Sequence, residues 1–279
     1  MGMLIAFWSP LHGRGNTSNC IAVGMQLSMR YDLPVYITHS HYARSTMESA
    51  LLSKDEDGDM LKFSDLGLDS LSRAIKTRCI SVEDVKSYCN KISENLFFIS
   101  GSKKSNKEIF DANIGNDFIE ICNFIKKENN ILLIDVDSGY ANSTAKEIIN
   151  IADIVIVTLD QTNIHCEEYF SLSNDLIPLD KEKILLGRYN NESKYSKKYV
   201  SKKFKREVFT LPIDTDFLDS LNNHRVKSYF EKRNKHEEEY LLIDELNLLV
   251  DILADEIEMS GIDINIKEYK TKKLFSFIR

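Results

Sequence analysis

The chain reads as an α/β protein built on a doubly wound, mostly parallel sheet, and three observations carry that reading. Strand-like and helix-like segments alternate along nearly all of its 279 residues. The strand-like segments are continuous apolar, β-branched runs, as expected of parallel strands covered on both faces. The first run leads into a loop of small and polar residues, Ser9–Ser18, and then into a helix-like stretch. Crossovers between parallel strands are right-handed, which leaves ligands at the carboxyl ends of the strands.

In chain order, Met3–Trp8 is the first strand, and a helix follows from Asn19 to about Arg30. Leu33–Thr38 is the second strand. Ser53–Phe63, acidic and broken by glycine, is a surface loop. Ser81–Ser93 reads as helix, Leu96–Ser100 as strand, Ile109–Glu128 as helix and Ile131–Val136 as strand. Ser143–Ile151 is a helix between that strand and the next, Ile154–Leu159. Lys183–Gly187 and Val208–Leu211 complete the strands. Glu237–Met259 is a long helix with Leu242, Leu246, Leu249, Leu253 and Ile257 on one stripe. That stripe fits a face packed on the sheet, with a dimerisation seam as the alternative.

Hydrophobic content of 43% and charged content of 28% suit a soluble globular chain, and only four prolines argue against long linkers. A net charge of −7 disfavours a surface built wholly for nucleic acid. The five cysteines are scattered without metal-ligand spacing, which fits reduced thiols and a cytoplasmic location. The Met3–Trp8 run lacks the basic start and the length of a secretory signal, and no apolar run is long enough for a bilayer.

Chemistry concentrates at the strand ends. Ser9-Pro10-Leu11-His12-Gly13-Arg14-Gly15-Asn16-Thr17-Ser18 has the position and much of the shape of a phosphate loop. Such a loop, G-x-x-x-x-G-K-[ST], cradles phosphates on backbone N–H groups, with Lys on the outer phosphates and a hydroxyl on Mg²⁺. Here Gly15 and Thr17 are in register, Pro10 replaces the first glycine and Asn16 replaces the lysine. Amide binding survives such changes, but the charge that assists phosphoryl transfer does not. Ile131–Asp135 is an apolar strand ending in a carboxylate, and Gly139 follows, where backbone can approach a terminal phosphate. Arg188-Tyr189-Asn190 and Pro212-Ile213-Asp214 follow two later strands and read as walls of a base pocket, with Asn190 on its edge and Pro212-Ile213 on its face.

The ordered set of motifs resembles the MinD/ParA family of P-loop ATPases over roughly residues 3–235. The family's deviant loop, K-G-G-x-G-K-[ST]-[ST], aligns on Leu11–Ser18. Its I-D-x-P-x-G aligns on Ile134–Gly139, its A-D-x-x-x-V on Ala152–Val157, its R-Y-N on Arg188–Asn190, and its I-P-x-D on Leu211–Asp214. The resemblance implies a P-loop domain over residues 1–265, binding ATP or ADP through Gly13, Arg14, Gly15, Asn16, Thr17, Ser18, Asp135, Gly139, Arg188, Asn190, Pro212 and Ile213. It also implies Mg²⁺ on Thr17 and Asp135, and a homodimer.

The departures bear on activity. Leu11 stands where the family has its signature lysine, and Asn16 where it has the second. The D-x-D that ends the family's second strand reads Thr38-His39-Ser40, and Arg44 and Ser45 fall where the family has R-N. Losing these groups together implies weak or absent hydrolysis, with no catalytic residue assigned. Arg14 and His12 are the candidates to replace the missing charge, although side chains at such loop positions usually point away from the nucleotide. His39 and His41 lack a third ligand at metal spacing and read as surface histidines.

Two basic segments suggest partners. Ser193–Arg206 carries Lys194, Lys197, Lys198, Lys202, Lys203, Lys205 and Arg206 without an acid, and Tyr195, Tyr199 and Phe204 at near-helical spacing offer a packing face. The tail Ile266–Arg279 sets Lys270, Lys272 and Lys273 before Leu274, Phe275, Phe277 and Ile278, similar to the membrane-binding tail of MinD. DNA, anionic lipid or an acidic protein would each suit these segments, the lipid giving a peripheral membrane location. The reading is therefore a degenerate MinD/ParA-like pseudo-ATPase acting as a positioning or scaffolding factor, analogous to the TadZ-type localisation proteins of pilus and secretion systems. An active partitioning ATPase is the alternative. A capsule-type tyrosine kinase ranks last, because Tyr240 and Tyr269 stand alone rather than in a cluster.

Overall fold

Apolar strands that bury both faces must be sandwiched, and every strand of the sheet's centre obeys this rule. The computed structural model describes residues 2–42, 45–52, 66–78, 80–102, 117–235 and 239–267. The surface-loop reading of Ser53–Phe63, Arg44, and the tail from residue 268 onward lie outside the described residues, as does the first part of the helix expected from Ile109.

The strands are β1 (Met3–Trp8), β2 (Val35–His39), β3 (Asn90–Lys91), β4 (Leu96–Phe98), β5 (Ile131–Asp135), β6 (Ile154–Leu159), β7 (Glu182–Tyr189) and β8 (Val208–Pro212). They form one sheet in the order β3-β4-β2-β5-β1-β6-β7-β8. All neighbours are parallel except the β3–β4 pair. β1 lies between β5 and β6, in register Phe7 with Asp135 and with Ile156, so three strand ends converge at the loop that follows Trp8.

Alternate residues of each strand feed two cores. Met3, Ile5 and Phe7 face one cluster, and Leu4, Ala6 and Trp8 the other. The first cluster is closed by α1 (Asn16–Arg30), α2 (Thr46–Leu51), α8 (Thr215–Asn222), α9 (Val226–Lys235) and α10 (Leu241–Met259). The second is closed by α3 (Leu68–Lys76), a helix over residues 117–125 (α4), α5 (Ser143–Ile151), α6 (Asn163–Leu176) and α7 (Lys197–Phe204). Each fully buried Leu or Ile removes apolar area worth roughly 1.5–3 kcal/mol. The α10 stripe Leu242, Leu246, Leu249, Leu253 and Ile257 is buried against this chain's own sheet, as the packed-face reading expects.

Most boundaries move by one to three residues from the sequence reading, but one element differs in kind. The helix expected over Ser81–Ser93 is only a 3₁₀ turn, Glu83–Tyr88, followed by the antiparallel strand β3. Its apolar residues Val82, Val85 and Tyr88 recur every third position, the period at which 3₁₀ side chains eclipse. Ser81 N and Oγ both donate to Asp84 Oδ2 at 2.8 Å, tightening the first turn. At the other end, Ile266 bridges to Tyr31 and Lys267 N donates to Arg30 O, so the chain remains on the body through Lys267.

Candidate functional site

The loop after β1 is shaped by two glycines in the left-handed region, Gly13 at φ +75° and Gly15 at φ +84°. Gly15 precedes α1 directly, and the first turn of that helix carries no acidic side chain to compete for its free N–H groups. Ser9, buried at the root of the loop, donates from Oγ to Thr158 O at 2.8 Å and fastens the loop to β6. Gly139, at φ +98°, donates its N–H to Ser9 O at 3.0 Å and brings the β5 exit against the same root.

Beneath the loop lies a closed polar network centred on Asp135, which is fully buried. Asn16 Nδ2 donates to Asp135 Oδ1 at 2.7 Å and to Phe7 O at 2.8 Å, while Asn16 Oδ1 accepts from Thr158 Oγ1 at 2.9 Å. Thr17 Oγ1 donates to Asp135 Oδ2 at 2.6 Å. The Asn16 side chain is thus part of the floor, not of the loop's open face. Cys20, one turn on, is buried against this floor, and burial together with the Asp135 charge pushes its thiol well up.

His41 bridges two carboxylates, with Nε2 3.1 Å from Asp135 Oδ2 and Nδ1 3.3 Å from Asp137 Oδ1. Burial opposes its charge, but the hydrogen bonds to Asp135 and Asp137 outweigh it and carry the imidazole from 6.5 up to about 10. Both ring nitrogens therefore donate at neutral pH. The Asp137 carboxyl is held below its usual range, chiefly by the His41 hydrogen bond. His39 and His41 are accordingly not surface histidines. His39 ends β2 on the side of Val35 and Ile37, so the pleat turns it inward, where Nε2 meets Glu48 Oε1 at 2.6 Å. Glu48 also accepts from Gly101 N at 3.0 Å, and its carboxyl is lowered although burial works the other way.

The two positions that resemble missing carboxylates are structural. Thr38 Oγ1 donates to Ile99 O at 2.9 Å, and Ser40 Oγ accepts from Asp137 N at 2.9 Å. Arg14 is tied away from the loop's mouth, with Nη1 2.5 Å from Asp160 Oδ2. Asp160, at the β6 exit, escaped the sequence reading, and its only signal there is a carboxylate just past an apolar strand. Burial would raise its carboxyl, but His165, Thr162 and Arg14 together lower it.

The β7 and β8 exits lie beside the loop. Gly187 comes so close that a Cβ there would sit 2.8 Å from Asn19 Nδ2 and 3.1 Å from Arg14 O. Arg188 follows in a bulge with φ +50°, exposed, its Nε 3.6 Å from where a Cβ on Gly15 would stand. Tyr189 pairs with Pro212, and Ile213 is 55% exposed beyond it. Asn190 is also exposed, but its Oδ1 accepts from Glu192 N at 2.9 Å and its backbone is clasped by Gln161. Gly13, Gly15, Thr17, Ser18, Asp135, Gly139, Arg188, Asn190, Pro212 and Ile213 are therefore gathered at one end of the sheet, while the side chains of Arg14 and Asn16 are engaged elsewhere.

Thr17 Oγ1 and Asp135 Oδ2 are hard oxygens side by side, the donor chemistry Mg²⁺ takes while keeping much of its own water, and so these residues fit the ion. On the basic helix α7, packing falls to Val200 and Phe204, the latter stacked on Phe170 at 4.1 Å. The expected face of Tyr195 and Tyr199 is instead exposed, because α7 begins only at Lys197 and turns Val200 inward. Lys203 pairs with Glu167 and Arg206 with Glu182, leaving Lys194, Lys198, Lys202 and Lys205 on the exposed side.

No protein-family model and no curated protein matches the chain. Solved structures do match over nearly all of it. A ParA family ATPase from Chlorobium tepidum TLS is 16% identical with a TM-score of 0.65, covering 90% of this chain and 96% of its own. The septum site-determining protein MinD of Pyrococcus horikoshii OT3, complexed with Mg-ADP, is 14% identical with a TM-score of 0.66, covering 92% and 99%. The MinC:MinD cell division complex of Aquifex aeolicus gives 14% and 0.63, covering 96% and 99%. At such identities the likeness establishes the fold, which is that of the MinD/ParA P-loop ATPases.

Proposed function

We propose that this chain binds ATP or ADP at the loop after β1 and works as a positioning or scaffolding factor with little or no hydrolysis, in the manner of the TadZ-type localisation proteins. The observation that carries the reading is the Asn16 side chain, bonded to Phe7, Asp135 and Thr158 at the position where the loop motif this chain resembles has a lysine. Backbone amides of the loop and the start of α1 remain to hold phosphates, and the solved MinD with Mg-ADP supports that use of this fold. Thr17 and Asp135 would hold Mg²⁺, which would supply positive charge to offset that of bound phosphates. Arg188 lies beside Gly15, and Asn190 with Pro212 and Ile213 would border the base. Thr38 and Ser40, both committed to backbone, have no carboxylate with which to orient an attacking water.

A homodimer, or a complex with a protein partner as in the MinC:MinD structure, is the proposed working form. The exposed lysines of α7, Lys198 and Lys202 foremost, would meet an acidic protein, anionic lipid or DNA.

Calorimetry of purified protein with ADP and with ATP tests the reading, run beside phosphate release. Micromolar binding lost in Thr17→Ala, with release no faster than in Asp135→Ala, is expected. Turnover that Asp135→Ala abolishes would restore the active-ATPase reading, and no heat at millimolar nucleotide would remove the nucleotide altogether.

A further inference from the structure

Two helices of opposite charge flank the outer edge of the sheet. β8 is the last strand in the order, and among the described residues no strand pairs with its outer side. α7 closes the core on one face beside it, and α10 closes the core on the other. The two helices meet around the β8 edge near their starts, where Lys197 Nζ lies 3.9 Å from Glu245 Oε2. That carboxylate also accepts from Thr210 Oγ1 of β8 at 2.7 Å.

α10 carries Asp244, Glu245, Asp251, Asp255, Glu256 and Glu258, and not one Lys or Arg. Glu245, Asp251 and Glu256 pair with Lys197, Arg30 and Lys183. Asp244, Asp255 and Glu258 are exposed and have no ion-pair partner among the described residues. Partial burial and then the charges of Glu239 and Glu245 raise the Asp244 carboxyl, a sign of negative charge in excess. Asp255 and Glu258 stand in the last turn, where the carbonyl end of the helix is itself negative and a cation is the favoured neighbour. Leu248, 54% exposed, lies on the same outward ridge, four positions after Asp244 and seven before Asp255.

α7 is the counterpart. It holds Lys197, Lys198, Lys202 and Lys203 and no acid. Lys198 and Lys202 are exposed one turn apart, and neither has an ion-pair partner among the described residues. Tyr195 and Tyr199, exposed and in edge contact at 5.3 Å, give that basic face an apolar part. Each helix thus sets unpaired charge of one sign beside exposed apolar surface, and the signs are opposite.

We propose that a second copy of this chain docks along the β8 edge, with the basic face of α7 against the acidic ridge of α10. A two-fold axis along that edge exchanges the two faces of the sheet, so α7 of each copy comes beside α10 of the other and the contact is made twice. A second copy answers both charges, whereas DNA or anionic lipid would answer only α7 and be repelled by the acids of α10. The inference rests on the homodimer reading above and chooses among the partners named there for α7. The contact runs along the side of the sheet, away from the strand ends that carry the loop, and so needs no nucleotide.

Sedimentation velocity of the full chain without nucleotide, over a concentration series, tests it. A dimer is expected, with a dissociation constant that rises at least about tenfold between ~0.05 M and ~0.5 M sodium chloride as screening removes the attraction. At the lower salt, Lys198→Glu with Lys202→Glu should weaken it by at least about tenfold, and so should Asp244→Lys with Asp255→Lys. All four positions are exposed, so far-UV circular dichroism should not change. Mixing the two double variants should restore dimers, because α7 and α10 then meet with opposite signs in both contacts. A dimer that neither double variant weakens, or no recovery on mixing, overturns this interface and leaves the homodimer reading standing. A monomer at every concentration overturns both. Binding to phosphatidylserine vesicles or duplex DNA that the lysine variant loses, with the dimer unaffected, gives α7 to that partner and overturns the inference.

Discussion

His41 shows how a single side chain can repair a charge imbalance and leave a measurable trace. Its imidazole spans Asp135 and Asp137, and those contacts raise it from 6.5 to about 10 in the folded chain. A group whose folded value lies above its unfolded one stabilises most below the unfolded value and loses that contribution as pH rises through the folded one. Stability measured by urea unfolding is therefore expected to fall between pH 6.5 and 10, and His41→Gln should flatten that decline. A slope equal to wild type in the variant would show that the bridge contributes nothing. At this scale the sequence was legible where placement follows backbone position: Gly13, Gly15, Thr17, Asp135 and Gly139 all fall at one end of the sheet. It was not legible where a side chain chooses between partners distant in the chain. Nothing local to Asn16 tells that its amide will bond Thr158, 142 positions away, or that Arg14 will turn to Asp160.

Elements were readable in proportion to the apolar periodicity they carry. Ile154–Leu159 and Ser143–Ile151 occur with the bounds their hydrophobic pattern gives, because both strand faces and one helix stripe are buried. β3 was missed since Asn90 and Lys91 bury little, and a two-residue edge strand is defined by its partner alone. Helical spacing was visible at α7, and Phe204 of the expected face packs, but Tyr195 and Tyr199 stay exposed and Val200 turns inward instead. Close approach between elements is also silent in sequence. β7 passes the loop at Gly187 with no room for a methyl group, 3.1 Å from the Arg14 carbonyl and 2.8 Å from Asn19. Gly187→Ala is expected to push the loop off β7 and weaken nucleotide binding at least about tenfold, roughly 1.4 kcal/mol, since overpacking of this kind costs about 1–3 kcal/mol. Far-UV circular dichroism should be unchanged, and an unaltered affinity would mean that the loop does not need this contact.

Over the whole molecule, the sheet divides the interior into two cores that share strands but not side chains. Leu249 packs in one and Ile148 in the other, both fully buried. Leu249→Ala should cost about 2–5 kcal/mol and Ile148→Val about 0.5–1.5 kcal/mol. Separated by the sheet, they should add in the double variant to within about 0.5 kcal/mol, as chemical denaturation would show, and a larger deviation would mean the cores communicate through the strands. The doubly wound class was evident in the alternation of runs, whereas the strand order depends on crossover paths that no local pattern records.

That order has a consequence in time. β1 is synthesised before the other strands of the sheet, yet both of its neighbours, β5 and β6, are encoded more than a hundred residues later. Asn16 meets Asp135 only after 119 further positions have been synthesised. Through that interval one of the two central strands of the sheet is a nascent apolar ribbon with neither edge covered, the condition in which chains stick to one another or to chaperones. The loop it carries is, for the same interval, a tether without a floor. The candidate site, whose loop is made before its floor, is therefore among the last parts of this fold to exist.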